Sequence, residues 1–440
     1  MSDIQRAPTA RSTGIGDIVR VASGNFLEMY DFMVFGYFAG AIGAAYFPSG
    51  SDLGTLLKSL ATFGVGFLMR PLGALVLGAY TDRHGRRAGL LLTLALMAAG
   101  IAALAFTPAY ATIGLLAPVL VLFGRLLQGF SAGAELGNVS VYLAEIAPPG
   151  RTGFYVSWQS ASQQVAVIVA ALVGLALSAF LSPAQLAAWG WRLPLALGCA
   201  VVPFLFLLRR RLRETDAFAA RTEAPSLAAI GRALWAGRGA VAGGVALVLM
   251  TTVSFYMTTA YTPTFGKLLH LAARDNLWVT AGVGASNLVW LPVMGALSDR
   301  IGRRPILIAC TVLMILTAYP AMHWLAAAPS LSRLVAVELW LSALYASYNS
   351  AMVVYLTEVV PPAVRASGFS LAYSLATAVG GFTPFIVTWA IHATANLAIP
   401  GLWLSLAAVA SLLATLFAHR RAPGTRRSVT PPLRLPPNAA

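Results

Sequence analysis

Five ionisable residues stand inside long apolar stretches of this 440-residue chain: Glu28, Asp31, Arg70, Arg125 and Glu135. A charge at such a place costs about 2.5–3.5 kcal/mol on insertion scales, so each is a functional candidate by default. An arginine stays protonated and can hold a carboxylate through two parallel hydrogen bonds. Two of them at one depth, Arg70 and Arg125, suit an anion carrying several carboxylates. Each needs a counter-charge when alone, and Glu28, Asp31 and Glu135 are available. A carboxylate in this setting can take up a proton when an anion draws its arginine away. Asp31, Glu28 and Glu135 are therefore the proton-coupling candidates. The plainer alternative for Arg70 and Asp31 is a permanent ion pair stapling two helices, and Glu135 could serve packing instead.

Polar side chains in other apolar stretches extend this set. Gln159 and Gln163 are four residues apart and share a helix face. Tyr256 and Asn349 offer a hydroxyl and an amide from the second half of the chain. Each of these four is a substrate-binding candidate, although a single such residue is more often an interhelical hydrogen bond. Glu338 falls 213 residues after Arg125, an acid where the first half has a base.

These residues need elements that hold them in an apolar solvent. Hydrophobic residues make up 58% of the chain and charged ones only 10%, against about a quarter in soluble domains. Apolar runs of about 18 residues or more recur along its length, enough to cross roughly 30 Å of hydrocarbon as helices. They lack the alternation of a barrel strand. The reading is an all-α membrane protein with twelve transmembrane helices in two pseudo-symmetric six-helix bundles. The spans run 20–46, 54–80, 88–107, 112–144, 153–181, 190–209, 238–261, 276–297, 305–326, 333–357, 366–392 and 400–419. Residues 1–19 form a cytoplasmic N-terminal segment, 20–209 the first bundle, 210–237 a cytoplasmic central loop, 238–419 the second bundle and 420–440 a disordered tail. A first run carrying Glu28 and Asp31 is a retained helix rather than a cleaved signal.

The formal charge of +15 reflects topology rather than nucleic-acid binding. With both termini inside, 23 of the arginines and lysines fall in cytoplasmic segments and five outside, the remaining two being Arg70 and Arg125. Cys199 and Cys310 lie within apolar runs without metal-ligand spacing, and the histidines are scattered. No metal or cofactor is expected. The chain has no P-loop, nucleophile elbow or dinucleotide fingerprint, so neither ATP hydrolysis nor another enzymatic activity is expected.

The chain repeats itself. Residues 78–87, Gly-Ala-Tyr-Thr-Asp-Arg-His-Gly-Arg-Arg, return 217 positions later as Gly-Ala-Leu-Ser-Asp-Arg-Ile-Gly-Arg-Arg at 295–304. Tyr142-Leu-Ala-Glu145 returns as Tyr355-Leu-Thr-Glu358, 213 positions on. Two motifs in one order at nearly one offset mean a duplicated six-helix unit. Gly78 and Gly295 would let a neighbouring helix come close, and Gly85 and Gly302 would permit a tight turn. Asp82 and Asp299 would meet arginines or a helix N-terminus. Arg86, Arg87, Arg303 and Arg304 would bridge to Glu145 and Glu358 as a charge latch that closes one face of the protein, with Arg83 and Arg300 as further gating candidates. Topology alone is the competing account of those charges.

With these motifs in view, the loop at 78–87 resembles the signature between helices 2 and 3 of the major facilitator superfamily, and Arg125-x3-Gly129-x3-Gly133 resembles its helix 4 motif. Gly24-Asn25-Phe26-Leu27-Glu28-Met29-Tyr30-Asp31-Phe32, Arg70-Pro71-Leu72-Gly73 and Gly129–Gly137 resemble the metabolite:proton symporter family. Residues 157–164 with Tyr261-Thr-Pro-Thr264 are similar to bacterial citrate–proton and tricarballylate–proton symporters. The resemblance covers about 15–420 and implies a central cavity, alternating access, an inner-membrane location and import of a carboxylate with protons by a monomer. Asn25 and Tyr30, within the first motif, join the substrate-binding candidates. No proline lies between Ala161 and Gly174, where many drug–proton antiporters have one, which favours symport. Two other functions compete: symport of a dicarboxylate or a zwitterionic osmolyte such as betaine or proline, and a sensor that binds without transporting.

Overall fold

The computed structural model describes residues 24–84, 86–133, 139–140, 143–144, 146–210, 231–232, 235–359 and 365–418. Within them it describes only the backbone of Gly24, Asp82, Arg83, Arg86, Arg87, Leu90, 208–210, Val359 and 365–367. Glu135, Gly85 and Glu145, the terminal segments and most of the central loop lie outside the described residues.

With short helices at Tyr110–Ile113, Pro183–Gln185 and Leu186–Gly190 between them, twelve main helical units follow one another among the described residues. They are α1 (Gly24–Tyr37 and Ala39–Tyr46), α2 (Asp52–Leu68 and Arg70–His84), α3 (Arg86–Phe106), α4 (Leu116–Ala132), α5 (Thr152–Phe180) and α6 (Arg192–Arg210), then α7 (Arg238–Phe255, a π-helical Tyr256–Ala260, and Thr262–Leu268), α8 (Ala273–Ile301), α9 (Arg303–Ala327), α10 (Leu331–Val359), α11 (Arg365–Gly381 and Thr383–Thr394) and α12 (Ile399–Ala418). Seven of these helical stretches are long and apolar enough by themselves to cross a membrane, and an eighth counts if Pro183–Gly190 and the α6 stretch Arg192–Leu207, bent by 45°, form one span. The protein is a multi-pass membrane protein. Large apolar side chains cover its outside, among them Phe123, Phe180, Val289, Leu316 and Phe417. Exposed Trp189, Trp278, Trp324 and Trp389 stand near helix ends, where indoles favour the membrane boundary.

Helices α1, α2, α7 and α11, expected to run unbroken, do not; α1 breaks at Phe38. Pro71 has no amide hydrogen to bond back into α2, and the helix breaks at Met69, directly before Arg70. Pro384 does the same for α11 at Phe382. In α7 the π-helical turn precedes Pro263.

The two halves meet along α5 and α8, 29 residues each, packed antiparallel. A side-chain carbon on Gly295 would lie 2.5 Å from the Gly153 carbonyl; one on Gly284 would lie 2.9 Å from Ile168, and one on Gly174 3.2 Å from Leu277. The same test leaves only 3.1 Å between Gly36 on α1 and the Ala260 carbonyl on α7, and presses Gly64 and Gly381 of α2 and α11 onto Phe382 and Phe67. The expected close approach thus occurs at Gly295. Among the described residues, no heavy atom lies within 4 Å of where a side chain on Gly78 would begin.

Candidate functional site

The site begins on α1. Glu28 and Asp31 are three residues apart, Phe32 lies four after Glu28, and Phe35 four after Asp31, so all four share one face. Opposite them stand Arg70, first residue after the α2 break, and Arg125, in mid-α4. Glycines set the distance between those two helices. A side-chain carbon at Gly129 would strike the Gly66 carbonyl, one at Gly133 the Arg70 carbonyl, and one at Gly73 the Phe130 carbonyl. Backbone therefore touches backbone, as small-residue membrane seams allow. On its other side α4 packs on α3 through Gly124 and Gly100, less closely, with a side-chain carbon on Gly100 2.7 Å from the Gly124 carbonyl.

The pairing of charges differs from the staple considered above. Arg70 Nη2 donates to Glu28 Oε1 at 2.5 Å, and Arg125 Nη1 donates to Asp31 Oδ2 at 3.1 Å. Arg125 Nη1 also donates to Gln128 Oε1 at 2.7 Å. Asp31 lies one helical turn beyond Glu28 and so meets the arginine of the next helix. Both guanidiniums also lie over aromatic faces. The Phe32 ring is shared, 5.2 Å from Arg70 and 4.4 Å from Arg125. Phe67 lies 4.8 Å from Arg70, and Phe35 and Phe63 lie 4.6 and 5.4 Å from Arg125. Tyr256, from the π-helical turn of α7, sets its ring edgewise against Phe67 at 4.9 Å and Phe63 at 5.9 Å, bringing the second half to the site.

The cluster is sealed: Arg125 is 0% exposed, and Arg70 and Tyr256 are each 2%. It is also unsaturated. Arg70 Nε, Arg125 Nε and Nη2, and Asp31 Oδ1 have no hydrogen-bond partner among the described residues. A buried donor left unmade costs about 1–3 kcal/mol, which makes such groups receptive to an anion. Asn25 and Asn349 are buried, and neither amide atom of either has a partner among the described residues; nor does Gln159 Nε2, while Gln159 Oε1 accepts from Ser160. Gln163 is buried on the same helix. Tyr30 goes elsewhere. Its hydroxyl donates to the Pro194 carbonyl of α6 at 3.1 Å, and its ring stacks on Phe26.

Sequence reading missed the four phenylalanines. A signal was there, since Phe32 and Phe35 follow the two acids at helical spacing and Phe67 precedes Arg70 by three.

The latch forms in the second half. Asp299, in the last turn of α8, accepts from the Gly153 and Phe154 amides at 2.8 and 3.0 Å, capping the N-terminus of α5. Arg303 lies 2.8 Å from the same carboxylate and 3.6 Å from Glu358 of α10. Gly302 turns the chain with a φ of +89°. Arg300 is exposed. The side chains of Asp82, Arg83, Arg86 and Arg87 lie outside the described residues.

Comparisons with known proteins agree with this architecture. A citrate-proton symporter of Klebsiella pneumoniae is 55% identical over 420 residues, 95% of each chain. One from Salmonella typhi is 53% identical over 92% of this chain and 94% of its own. A solved major facilitator superfamily proton:xylose symporter shares the fold at a TM-score of 0.72 with 20% identity, covering 93% of this chain and 96% of its own. The family model described as sugar (and other) transporter matches residues 18–230 and 221–422, and this chain belongs to that family.

Proposed function

We propose that this chain is a proton-coupled symporter that imports citrate or a closely related tricarboxylate by alternating access. One observation carries the site: two sealed arginines, each neutralised by a carboxylate of α1, with nitrogens still unbonded. An entering anion places its carboxylates on Arg70 and Arg125 through those nitrogens. Asp31 and Glu28, drawn off their partners, become buried carboxylates that a proton neutralises. Anion and proton then stabilise each other, which is symport. Asn25, Gln159, Gln163, Tyr256 and Asn349 complete the lining, and the Asp299–Arg303–Glu358 latch with α5 holds one face closed. The charge count favours that face and both termini lying in the cytoplasm, and the bacterial relatives support an inner-membrane location.

The test is substrate-driven proton movement in proteoliposomes, with citrate, tricarballylate, succinate and betaine offered in turn. Citrate or tricarballylate should alkalinise the outside. Silence with all four removes the symport reading, and a response to betaine alone moves the chain to zwitterion transport.

A further inference from the structure

Glu338 has no part in the mechanism above, yet it is 0% exposed in α10. The internal repeat sets it where Arg125 stands in the first half, so the two share one depth in the membrane. Its surroundings are otherwise unlike those of Glu28 and Asp31. Oε1 lies 3.1 Å from the Thr262 hydroxyl, and Oε2 has no partner among the described residues. The charged and titratable groups on the elements around it lie elsewhere. On α10, Arg333 bonds the Trp324 carbonyl, Glu358 belongs to the latch, and Tyr348 donates to the Leu247 carbonyl. Lys267, Arg274, His323 and His392, at the outer ends of α7, α8, α9 and α11, are exposed. Tyr261 of α7 is bonded to Thr388, and Asp275 lies in the first turn of α8. The remaining tyrosines of these helices are Tyr256, Tyr319, Tyr345, Tyr355 and Tyr373. A buried carboxylate is costly unless it is paired with a cation or neutralised by a proton, and here the available partner is a hydroxyl.

That hydroxyl faces a choice. Thr262 Oγ1 is 2.9 Å from the Thr258 carbonyl and 3.4 Å from the Met257 carbonyl, as well as 3.1 Å from Glu338. A hydroxyl has one hydrogen to give. With that hydrogen on Thr258, the Glu338 contact is a hydrogen bond only if the carboxyl carries a proton and donates it. With the hydrogen on Glu338, the carboxylate is ionised and the backbone carbonyls of the π-helical turn lose a donor. That turn, Tyr256–Ala260, is the one that carries Tyr256 against the arginine site.

We propose that Glu338 is a second proton-binding group of the transport cycle. Its protonation is linked to the substrate site through the Thr262 hydroxyl and the π-helical turn of α7. The inference rests on the symport reading above, and the experiment separates the two. In proteoliposomes, citrate uptake is balanced against imposed pH gradients to give protons moved per citrate, and citrate exchange is followed against pH. Glu338→Gln should lower the ratio by one proton and flatten the pH profile of exchange while exchange itself continues. Thr262→Val should move the midpoint of that profile and leave the ratio unchanged. Glu338→Asp, which keeps an acid at the site, should keep the ratio. If the wild type moves protons with citrate but both the ratio and the pH profile survive Glu338→Gln, this inference is overturned and the function stands. The same holds if Glu338→Gln does not fold and Thr262→Val leaves the midpoint in place. If the wild type moves no protons, the function itself falls.

Discussion

Two places in this protein pair arginine with carboxylate, and they are built in opposite ways. At mid-membrane, Arg70 and Arg125 are sealed, stacked on phenylalanines and short of hydrogen bonds. At the end of α8, Arg303 and Asp299 are 14% and 6% exposed, Glu358 is 53% exposed, and Asp299 fills both oxygens with amides of α5. The first arrangement leaves bonding capacity for a newcomer. The second satisfies itself by joining the two halves, and so suits a contact that must form and break as the halves move. Under the proposed function, the same charge chemistry would serve recognition at the sealed pairs and gating at the more exposed one.

Substitutions can break this comparison. Arg125→Ala removes one partner of a sealed pair, and citrate uptake should fall by about 100-fold or more. Arg70→Ala should follow closely, and an uptake loss smaller than that of the latch variants would reverse the assignment. Asp31→Asn should leave exchange but lose one coupled proton, cutting the accumulation ratio by about tenfold across a gradient of one pH unit; uphill accumulation at the wild-type ratio would exclude Asp31. At the latch, Asp299→Asn weakens an anion on a helix N-terminus, so turnover should drop about fivefold with KM little changed. A KM effect as large as the turnover effect would place Asp299 in binding instead. Glu358→Gln touches a half-exposed pair 3.6 Å long and should stay within about threefold of wild type in turnover.

Much of this was legible in the chain because membrane helices and duplicated motifs write themselves in runs and offsets. The burial of Glu28, Asp31, Arg70 and Arg125, the close helix approach at Gly295 and the Arg303–Glu358 bridge follow from that kind of pattern. The partner of each arginine did not. Glu28 and Asp31 sit one turn apart on α1, and which arginine each meets depends on where α2 and α4 pass, a three-dimensional fact set by glycines on other helices. Nor did the sequence distinguish Tyr30, whose ring could face the arginines or, as observed, α6. Gly78 shows the limit of the repeat: its copy at 295 touches Gly153, while Gly78 meets no such neighbour among the described residues. Duplicated letters do not guarantee duplicated contacts when the two halves pack on different neighbours.

The glycine seam between α2 and α4 bears on how such a transporter can change its diet. Because Gly66, Gly73, Gly129 and Gly133 bring backbone onto backbone, even one methyl there would force the helices apart. The span between the backbones that carry Arg70 and Arg125 is thus fixed like the jaws of a set calliper. Descendants of this chain that take a shorter or longer acid would have to keep that gauge and vary the facing side, at Tyr256 and the π-helical turn that carries it.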